Sequence, residues 1–299
     1  MNTDIRIEND FSGKYPSDIT GCFIPSTNIE VIRQFERGRF AYALFDFDGT
    51  ISLIREGWQS VMSGLMLEVL SDTPAGKDEP KLDIYIHRLI AETTGKQTIY
   101  QMIALSEEVK KRGGEPLEPA DYKAEYLRRL LEKISERRES LRCGAARPED
   151  YLVPGAKDFL LRLKHRGLSL YLASGTDQEY VEEESALLAV STIFEGNIFG
   201  ARDDYKSFSK ALVIQQILTG SGIDGRRLLG FGDGFVEIDN TKSAGGIAIG
   251  AATNEKDPAF PDEGKRRRLL AVGADIIIPN FSCHSTLCGY LMGECNEAV

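Results

Sequence analysis

Short apolar runs alternate with amphipathic segments through much of this 299-residue chain. The first run, FAYALFDF at 40–47, is apolar at almost every position, which is typical of a strand covered on both faces in a parallel sheet. Runs of similar texture predict further strands at 168–174, 226–233, 245–252 and 274–280. Segments with helical spacing lie between the strands, at 153–167, 177–190 and 209–222. The alternation predicts a doubly wound α/β fold, whose ligands bind beyond the carboxyl ends of the strands.

A long helical region interrupts this alternation after the first strand. Its four segments with helical periodicity are 58–70, 81–93, 96–114 and 120–141. Because a connection between a strand and the next helix normally takes only a few residues, the region is predicted to be a domain inserted into a loop. Its position after the first strand places it over the strand end, where it acts as a lid that moves on hinges at 51–56 and 147–154.

These patterns predict three parts of the chain. Residues 55–150 form the helical cap, and the α/β core combines 28–54 with 151–299. Residues 1–27 form an N-terminal arm, and a short helix is predicted within 28–39.

Composition narrows the possible partners and the compartment. The formal charge of −10 argues against a nucleic acid, since binding phosphate backbones needs clustered Lys and Arg. The basic run KRRR at 265–268 is interpreted as the solvated face of a helix. No apolar stretch approaches the roughly 18 residues of a membrane span, and we find no secretory signal. The five cysteines are odd in number and scattered, which favours a reducing cytoplasm.

A group of metal-binding residue types lies near the C-terminus. Cys283, His284, Cys288 and Cys295 could be considered for a zinc site, but their spacing matches no paired Cys-x-x-Cys pattern.

Two carboxylates at the end of the first strand carry the strongest chemical signal. Asp46 and Asp48 are two positions apart, and burying either charge is costly unless a cation compensates it. The dipeptide of Asp48 and Gly49 is also typical of a turn, but a turn does not explain why a second carboxylate, Asp46, lies two positions earlier. Asp233, in GFGDG, ends another predicted strand. Oxygen ligands of this kind favour a hard cation such as Mg2+.

A hydroxyl group ends the second core strand. Ser174 is followed by Gly175 and Thr176, whose free N–H groups at a helix start would suit a phosphate oxygen. Taken alone, this sequence is more often an ordinary helix cap.

Four motifs in order resemble those of the haloacid dehalogenase-like (HAD) hydrolase superfamily. They are DFDGT at 46–50, LASGT at 172–176, a lysine at a helix start, and GDGFVEI at 232–238. The helical insert resembles the C1 cap of that superfamily, and the likeness extends from about 40 to 280. The resemblance implies a Rossmann-like HAD core with an inserted cap, and a phosphatase activity.

The resemblance also implies roles for the site residues. Asp46 attacks phosphorus and forms an aspartyl-phosphate, while Asp48 protonates the leaving oxygen and then activates water. Lys210 neutralises the transferred phosphoryl group and its aspartyl partner, although Lys206 in DDYKSFSK is an alternative.

The same resemblance implies how Mg2+ is held. Asp46, Asp233 and the backbone carbonyl of Asp48 are direct ligands. Glu237 stands where the family usually has a second Asp, and its longer side chain could instead act through water or through Lys210.

Substrate contacts are expected from the motifs and from the cap. Gly175 and Thr176 would hold the phosphate, Lys96 in TTGKQT would reach a substrate anion, and Arg55 would line the crevice between cap and core. Together these inferences predict a Mg2+-dependent hydrolase of a small phosphate monoester, such as a sugar phosphate or similar metabolite. A phosphomutase of the β-phosphoglucomutase type uses the same motifs, and a non-catalytic phosphate-binding protein is a third alternative. The substrate and the oligomeric state stay open.

Overall fold

An eight-stranded, mostly parallel sheet forms the centre of the protein. The computed structural model describes residues 19–202, 204, 209–221 and 224–294. In sheet order β1-β2-β8-β7-β6-β3-β4-β5, the last six strands are parallel, and β1 and β2 add to one edge in antiparallel fashion. The strands are β1 Cys22–Phe23, β2 Glu30–Val31, β3 Tyr42–Phe45, β4 Ser169–Asp177, β5 Ile198–Ala201, β6 Leu228–Gly232, β7 Ile247–Ala251 and β8 Ile276–Ile278.

Helices cover both faces of this sheet. They are α5 Ala156–His165, α6 Gln178–Leu187, α7 Lys210–Ser221, α8 Phe235–Ser243, α9 Glu263–Ala271 and α10 His284–Leu291. Because successive side chains of a strand point to opposite faces, Phe45 packs with α5 and α10 while Leu44 packs with α7. The predicted doubly wound α/β core is therefore confirmed.

Aromatic side chains fill the centre of the first face. The ring of Phe45 on β3 stacks on Phe231 of β6 with centroids 4.4 Å apart, and Phe159 of α5 meets Phe231 edge-on at 5.3 Å. These rings are buried, so the strands that carry the catalytic motifs are set in a rigid core.

Four further helices occupy the region after β3. They are α1 Trp58–Ser71, α2 Leu82–Thr93, α3 Thr98–Lys111 and α4 Pro119–Arg142. Their inward faces bury Met66, Leu105 and Ile134 completely, and these residues belong to the same apolar cluster as Phe45 and Phe231 of the sheet. Each of the four segments predicted to be helical matches one of these helices to within three residues at either end.

The chain enters and leaves the helical insert side by side. The N–H of Val153 donates to the carbonyl of Ile51 at 2.9 Å, and the N–H of Leu53 donates to the carbonyl of Tyr151 at 2.8 Å. These residues belong to the two segments predicted as hinges. The two segments are therefore hydrogen-bonded to each other between the helical insert and the sheet.

The helix predicted within 28–39 is wrong. Glu30 and Val31 form β2, which pairs with Ile277 and Ile276 of β8. Pairing with a strand far along the sequence outweighs the local helical spacing, because it buries Val31 and lets Arg266 pair with the buried carboxylate of Glu30. The strands β1 and β5 were not predicted either: β1 has only two residues, and the four residues of β5 include a glycine, which strands disfavour.

Two of the residues considered for a zinc site, His284 and Cys288, have other surroundings. Cys288 is buried, and Nδ1 of His284 accepts a hydrogen bond from Arg162 at 2.8 Å. Within the described ranges, no group of three His, Cys, Asp or Glu residues is arranged to hold a metal ion. Cys295 lies outside the described residues.

Among the described residues, no helix combines the length and the apolar character that crossing a bilayer requires.

Candidate active site

The carboxyl ends of β3, β4 and β6 meet the helical insert around one cavity of about 70 Å3. Four of its lining residues come from different motifs: Asp46, Ser174, Lys210 and Asp233. The other predicted residues that line it are Asp48, Arg55, Lys96, Gly175 and Thr176. The fold thus brings all but one of the predicted site residues to a single cavity, and Glu237 lies directly behind it against Lys210.

Asp46 is buried at the end of β3 and is paired with Lys210. Its N–H donates to the carbonyl of Phe231 at 2.9 Å, and the Nζ of Lys210 donates to its Oδ1 at 2.7 Å. The same Nζ also contacts the carboxylate of Glu237. One lysine is therefore shared by two carboxylates. Lys206, the alternative to Lys210, lies outside the described residues.

The charges around Asp46 do not balance without another cation. Burial raises the pKa of Asp46 well above its usual range, and the neighbouring charges of Glu237 and Asp233 raise it further, while Lys210 opposes the shift. Burial alone would lower the pKa of Lys210, but the two carboxylates outweigh it and raise that pKa, so Lys210 stays protonated. A divalent cation at this site would keep Asp46 ionised.

Asp48 turns back into the cavity through Gly49. That glycine has φ +76°, and a Cβ there would lie 2.3 Å from Oδ2 of Asp233, so no other residue fits without a shift. The Oδ2 of Asp48 accepts hydrogen bonds from Thr176 Oγ1 at 2.8 Å and from Ser174 Oγ at 3.3 Å. Its Oδ1 is buried and accepts no hydrogen bond, which leaves that oxygen available for chemistry.

The phosphate cradle predicted at a helix start is not formed there. Strand β4 continues through Asp177, and α6 begins only at Gln178. The N–H of Thr176, expected to be free, donates to Oγ of Ser174 at 3.1 Å. Hydrogen bonding between β4 and β5 shifts register between Ala173 and Asp177, and this irregularity extends the strand past the motif.

Lys265 is a neighbour of the site that the sequence interpretation missed. Its Nζ donates to Oδ2 of Asp233 at 2.6 Å and to Oε1 of Glu255 at 2.8 Å, and its side chain is 7% exposed. The interpretation of 265–268 as a solvated face is therefore wrong for this residue. Leu269 is also buried, and residues four apart share a helix face, so the helical phase was a usable signal.

Arg55 lines the cavity, but its guanidinium is largely used elsewhere. It donates to both carboxylate oxygens of Glu184, on α6, at 2.9 and 2.8 Å, and both side chains are buried. Its Nε lies 3.8 Å from Oδ1 of Asp48. Its placement supports a structural role beside the catalytic pair; direct contact with substrate stays a prediction.

Lys96 belongs to a loop of the insert that lies against the core motifs. Its side chain is exposed, with Nζ 5.7 Å from the centroid of the Phe235 ring. Its backbone passes so close to Gly175 that a Cβ there would be 2.6 Å from the Lys96 carbonyl oxygen. Trp58, Tyr126 and other residues of the insert complete the apolar side of the cavity.

The donors at the cavity fit Mg2+ in kind. Asp46 and Asp233 provide two carboxylates, and Mg2+ is usually bound by one or two carboxylates with waters and substrate phosphate oxygens. Within the described residues, no group of three His, Cys, Asp or Glu side chains is arranged to hold a metal ion, and Lys210 and Lys265 each hold an oxygen of one of the two carboxylates. The buried Oδ1 of Asp48 and Oε2 of Glu237 accept no hydrogen bond, which fits a site that is completed by a cation and its waters.

Comparison with solved structures places the chain among HAD-like folds. The structure of a predicted phosphoglycolate phosphatase from Haemophilus somnus 129pt is 17% identical, with TM-score 0.53, over 83% of this chain and 98% of that one. β-Phosphoglucomutase from Clostridium difficile is 14% identical, with TM-score 0.57, over 85% and 98%. CbbY from Rhodobacter sphaeroides, in complex with xylulose-(1,5)bisphosphate, is 18% identical, with TM-score 0.52, over 81% and 95%. At these identities the likeness establishes the fold.

The family itself is established by sequence. The comparison with curated proteins gives no match. A family model described as haloacid dehalogenase-like hydrolase matches residues 41–245, well over half of the chain. The resemblance to this superfamily and the assignment of the chain as a hydrolase are thereby confirmed. The chain belongs to the haloacid dehalogenase-like hydrolase family.

Proposed function

We propose that the protein is a Mg2+-dependent phosphohydrolase that cleaves a small phosphate monoester through an aspartyl-phosphate. The observation that carries this proposal is the placement of Asp46, Asp48 and Lys210 around one cavity. Asp46 and Lys210 are in contact, while Asp48 keeps one oxygen without a hydrogen-bond partner. This arrangement provides a nucleophile, a positive charge and a group that can transfer a proton.

Asp46 and Asp48 have distinct tasks in this reaction. A carboxylate oxygen of Asp46 attacks phosphorus, and the ester P–O bond breaks as Asp48 gives its proton to the leaving oxygen. Asp48 then takes a proton from the water that attacks the phosphorus of the aspartyl-phosphate, which releases inorganic phosphate and restores Asp46. Ser174 and Thr176 hold one oxygen of Asp48 and so direct the other towards the reaction.

Charge neutralisation accounts for the remaining groups. Lys210 offsets the negative charge of Asp46 and of the phosphoryl group that joins it. Asp46, Asp233 and the Asp48 carbonyl would hold Mg2+, which supplies further positive charge at the phosphoryl oxygens when bound. Glu237 contacts Lys210, so we assign it to holding that lysine.

The proposed substrate is a small phosphorylated metabolite. The cavity is small, and the insert contributes Trp58, Gln101 and Lys96 to its lining. One structural relative is described as a phosphoglycolate phosphatase, and another holds a xylulose bisphosphate. The formal charge of −10 gives no support to a nucleic-acid substrate.

We further propose that residues 55–150 act as the lid of a core formed by 28–54 and 151–299. The four described cysteines are free, in keeping with the cytoplasmic location proposed.

A phosphomutase is the second candidate, because β-phosphoglucomutase is among the structural relatives. It would use the same aspartyl-phosphate but return the phosphoryl group to a sugar. Dependence on a sugar bisphosphate primer, together with little phosphate release, would support the mutase.

Phosphate release over a panel of phosphorylated metabolites, with Mg2+ or with a chelator, tests the proposal. We expect Asp46→Asn to lower turnover by about 10³-fold or more, since the nucleophile is lost. The variant changes one oxygen to nitrogen, so an unchanged melting temperature confirms that it folds. Full activity of Asp46→Asn, or full activity in excess chelator, would contradict the proposal.

A further inference from the structure

Lys265 reaches the site from the side of Asp233 that faces away from the cavity. It does not line the cavity, whereas Asp233 does. Its Nζ nevertheless contacts Oδ2 of Asp233 at 2.6 Å, inside a region where Lys265 and Asp233 are both less than 10% exposed. The backbone N–H of Lys265 donates to Oδ1 of Asp262 at 2.8 Å, which fixes the first turn of α9.

The contact repeats the arrangement around Asp46. There, Lys210 holds one oxygen of Asp46 and also contacts Glu237. Here, Lys265 holds one oxygen of Asp233 and also contacts Glu255 at 2.8 Å. Each carboxylate assigned to the cation is thus tied to one lysine, and each lysine is paired with one glutamate.

The turn at Gly49 and the side chain of Lys265 both lie against one oxygen of the Asp233 carboxylate. A Cβ at Gly49 would lie 2.3 Å from Oδ2 of Asp233 and 3.2 Å from Nζ of Lys265. The oxygen held by Lys265 is therefore enclosed between the lysine and the turn after Asp48. The other oxygen of Asp233 is the one without this lysine contact, and Asp233 lines the cavity. The negative charge of Glu255 offsets the positive charge of Lys265. Lys265 therefore orients Asp233 without adding net positive charge beside it.

We propose that Lys265, supported by Glu255, is a positioning residue that fixes the Asp233 carboxylate for binding of a divalent cation. The inference rests on the cation site of the proposed function. Partners that orient a metal ligand typically contribute about 10–100-fold in metal affinity or activity.

The sign of the effect separates positioning from simple electrostatics. Lys265→Met keeps the length of the side chain but removes its charge and its hydrogen bonds. If Lys265 acted only as a nearby positive charge, removing it would tighten cation binding. If it positions Asp233, the carboxylate loses its fixed orientation, and the affinity falls by about 10–100-fold.

Binding is measured on the full chain without substrate, from the electron paramagnetic resonance signal of free Mn2+, with Mg2+ as competitor. The matched control is Lys242→Met, because Lys242 also pairs with a buried carboxylate, Asp275, at 2.8 Å but does not line the cavity. We expect the control to bind Mn2+ as the wild type does. Lys265→Arg, which keeps the charge and a donor, is expected to regain part of the affinity that Lys265→Met loses.

Every outcome decides the inference. Equal or tighter Mn2+ binding by Lys265→Met would overturn it and leave the cation site standing. No Mn2+ binding by the wild type would overturn both the cation site and the inference. If Lys265→Met does not fold, Lys265→Gln, which removes the charge but keeps an N–H donor, serves instead: weaker binding supports the inference, and equal or tighter binding overturns it.

Discussion

Removing Arg55 should cost stability more than it costs substrate binding. Its guanidinium makes two hydrogen bonds to Glu184, which has no exposed surface. Burial raises the pKa of Glu184, and Arg55 opposes that shift. In Arg55→Met, a carboxylate remains buried without its partner, and breaking a buried pair in this way costs about 3–5 kcal/mol. That is a large part of the roughly 5–15 kcal/mol that stabilises a typical domain.

A double-mutant cycle in urea, followed by circular dichroism, measures this cost. Glu184→Met alone should also destabilise, since it leaves the guanidinium of Arg55 buried and unpaired. Arg55→Met combined with Glu184→Met should recover most of the loss, because an apolar pair of similar volume avoids burying either charge. A loss below about 1 kcal/mol in Arg55→Met, or additive single losses, would refute this reasoning. In that case the guanidinium is available to substrate, as the sequence predicts.

Two further predictions concern movement of the insert. Gly175→Ala should lower kcat/KM by on the order of 10²-fold, because its Cβ would meet the Lys96 carbonyl at 2.6 Å and displace the loop over the cavity. Gly64→Ala, where a Cβ meets nothing within 4 Å, is the matched control in the phosphate-release assay, and equal activity of both variants would contradict the prediction. A disulfide between cysteines placed at Ser52 and Leu152, which bridge the two hinge segments, should lower turnover without changing Mn2+ affinity. Reduction should restore turnover; equal rates in both redox states would argue against a moving hinge.

Much of the site was predictable because several of its polar residues lie at the carboxyl ends of predicted strands. Asp46, Ser174 and Asp233 each follow or end an apolar run, and parallel strands bring their carboxyl ends to one edge of a sheet. Lys210 was identified from its position at a helix start, and it does contact Asp46. The four motifs in order identified the family that the sequence match confirms.

The contacts between separate elements were not predictable in the same way. Strand β4 continues past the motif to Asp177, where its pairing with β5 resumes opposite Ala201. Glu30 and Val31, within the run at 28–39, form a strand because an edge of the sheet is available to them. Neither outcome can be read from local periodicity, since both depend on which backbone groups lie opposite.

Local patterns in the sequence determined the alternation of strands and helices, the helical insert and the residue types of the active site. Only the tertiary structure decided which charges meet: Arg55 with Glu184, 129 residues away, and Lys265 with Asp233, 32 residues away. The physical reason is that a charged side chain tolerates burial only beside its partner, and the partner arrives from another element when the chain folds. A lysine in a basic run therefore looks solvated in the sequence and is buried in the fold.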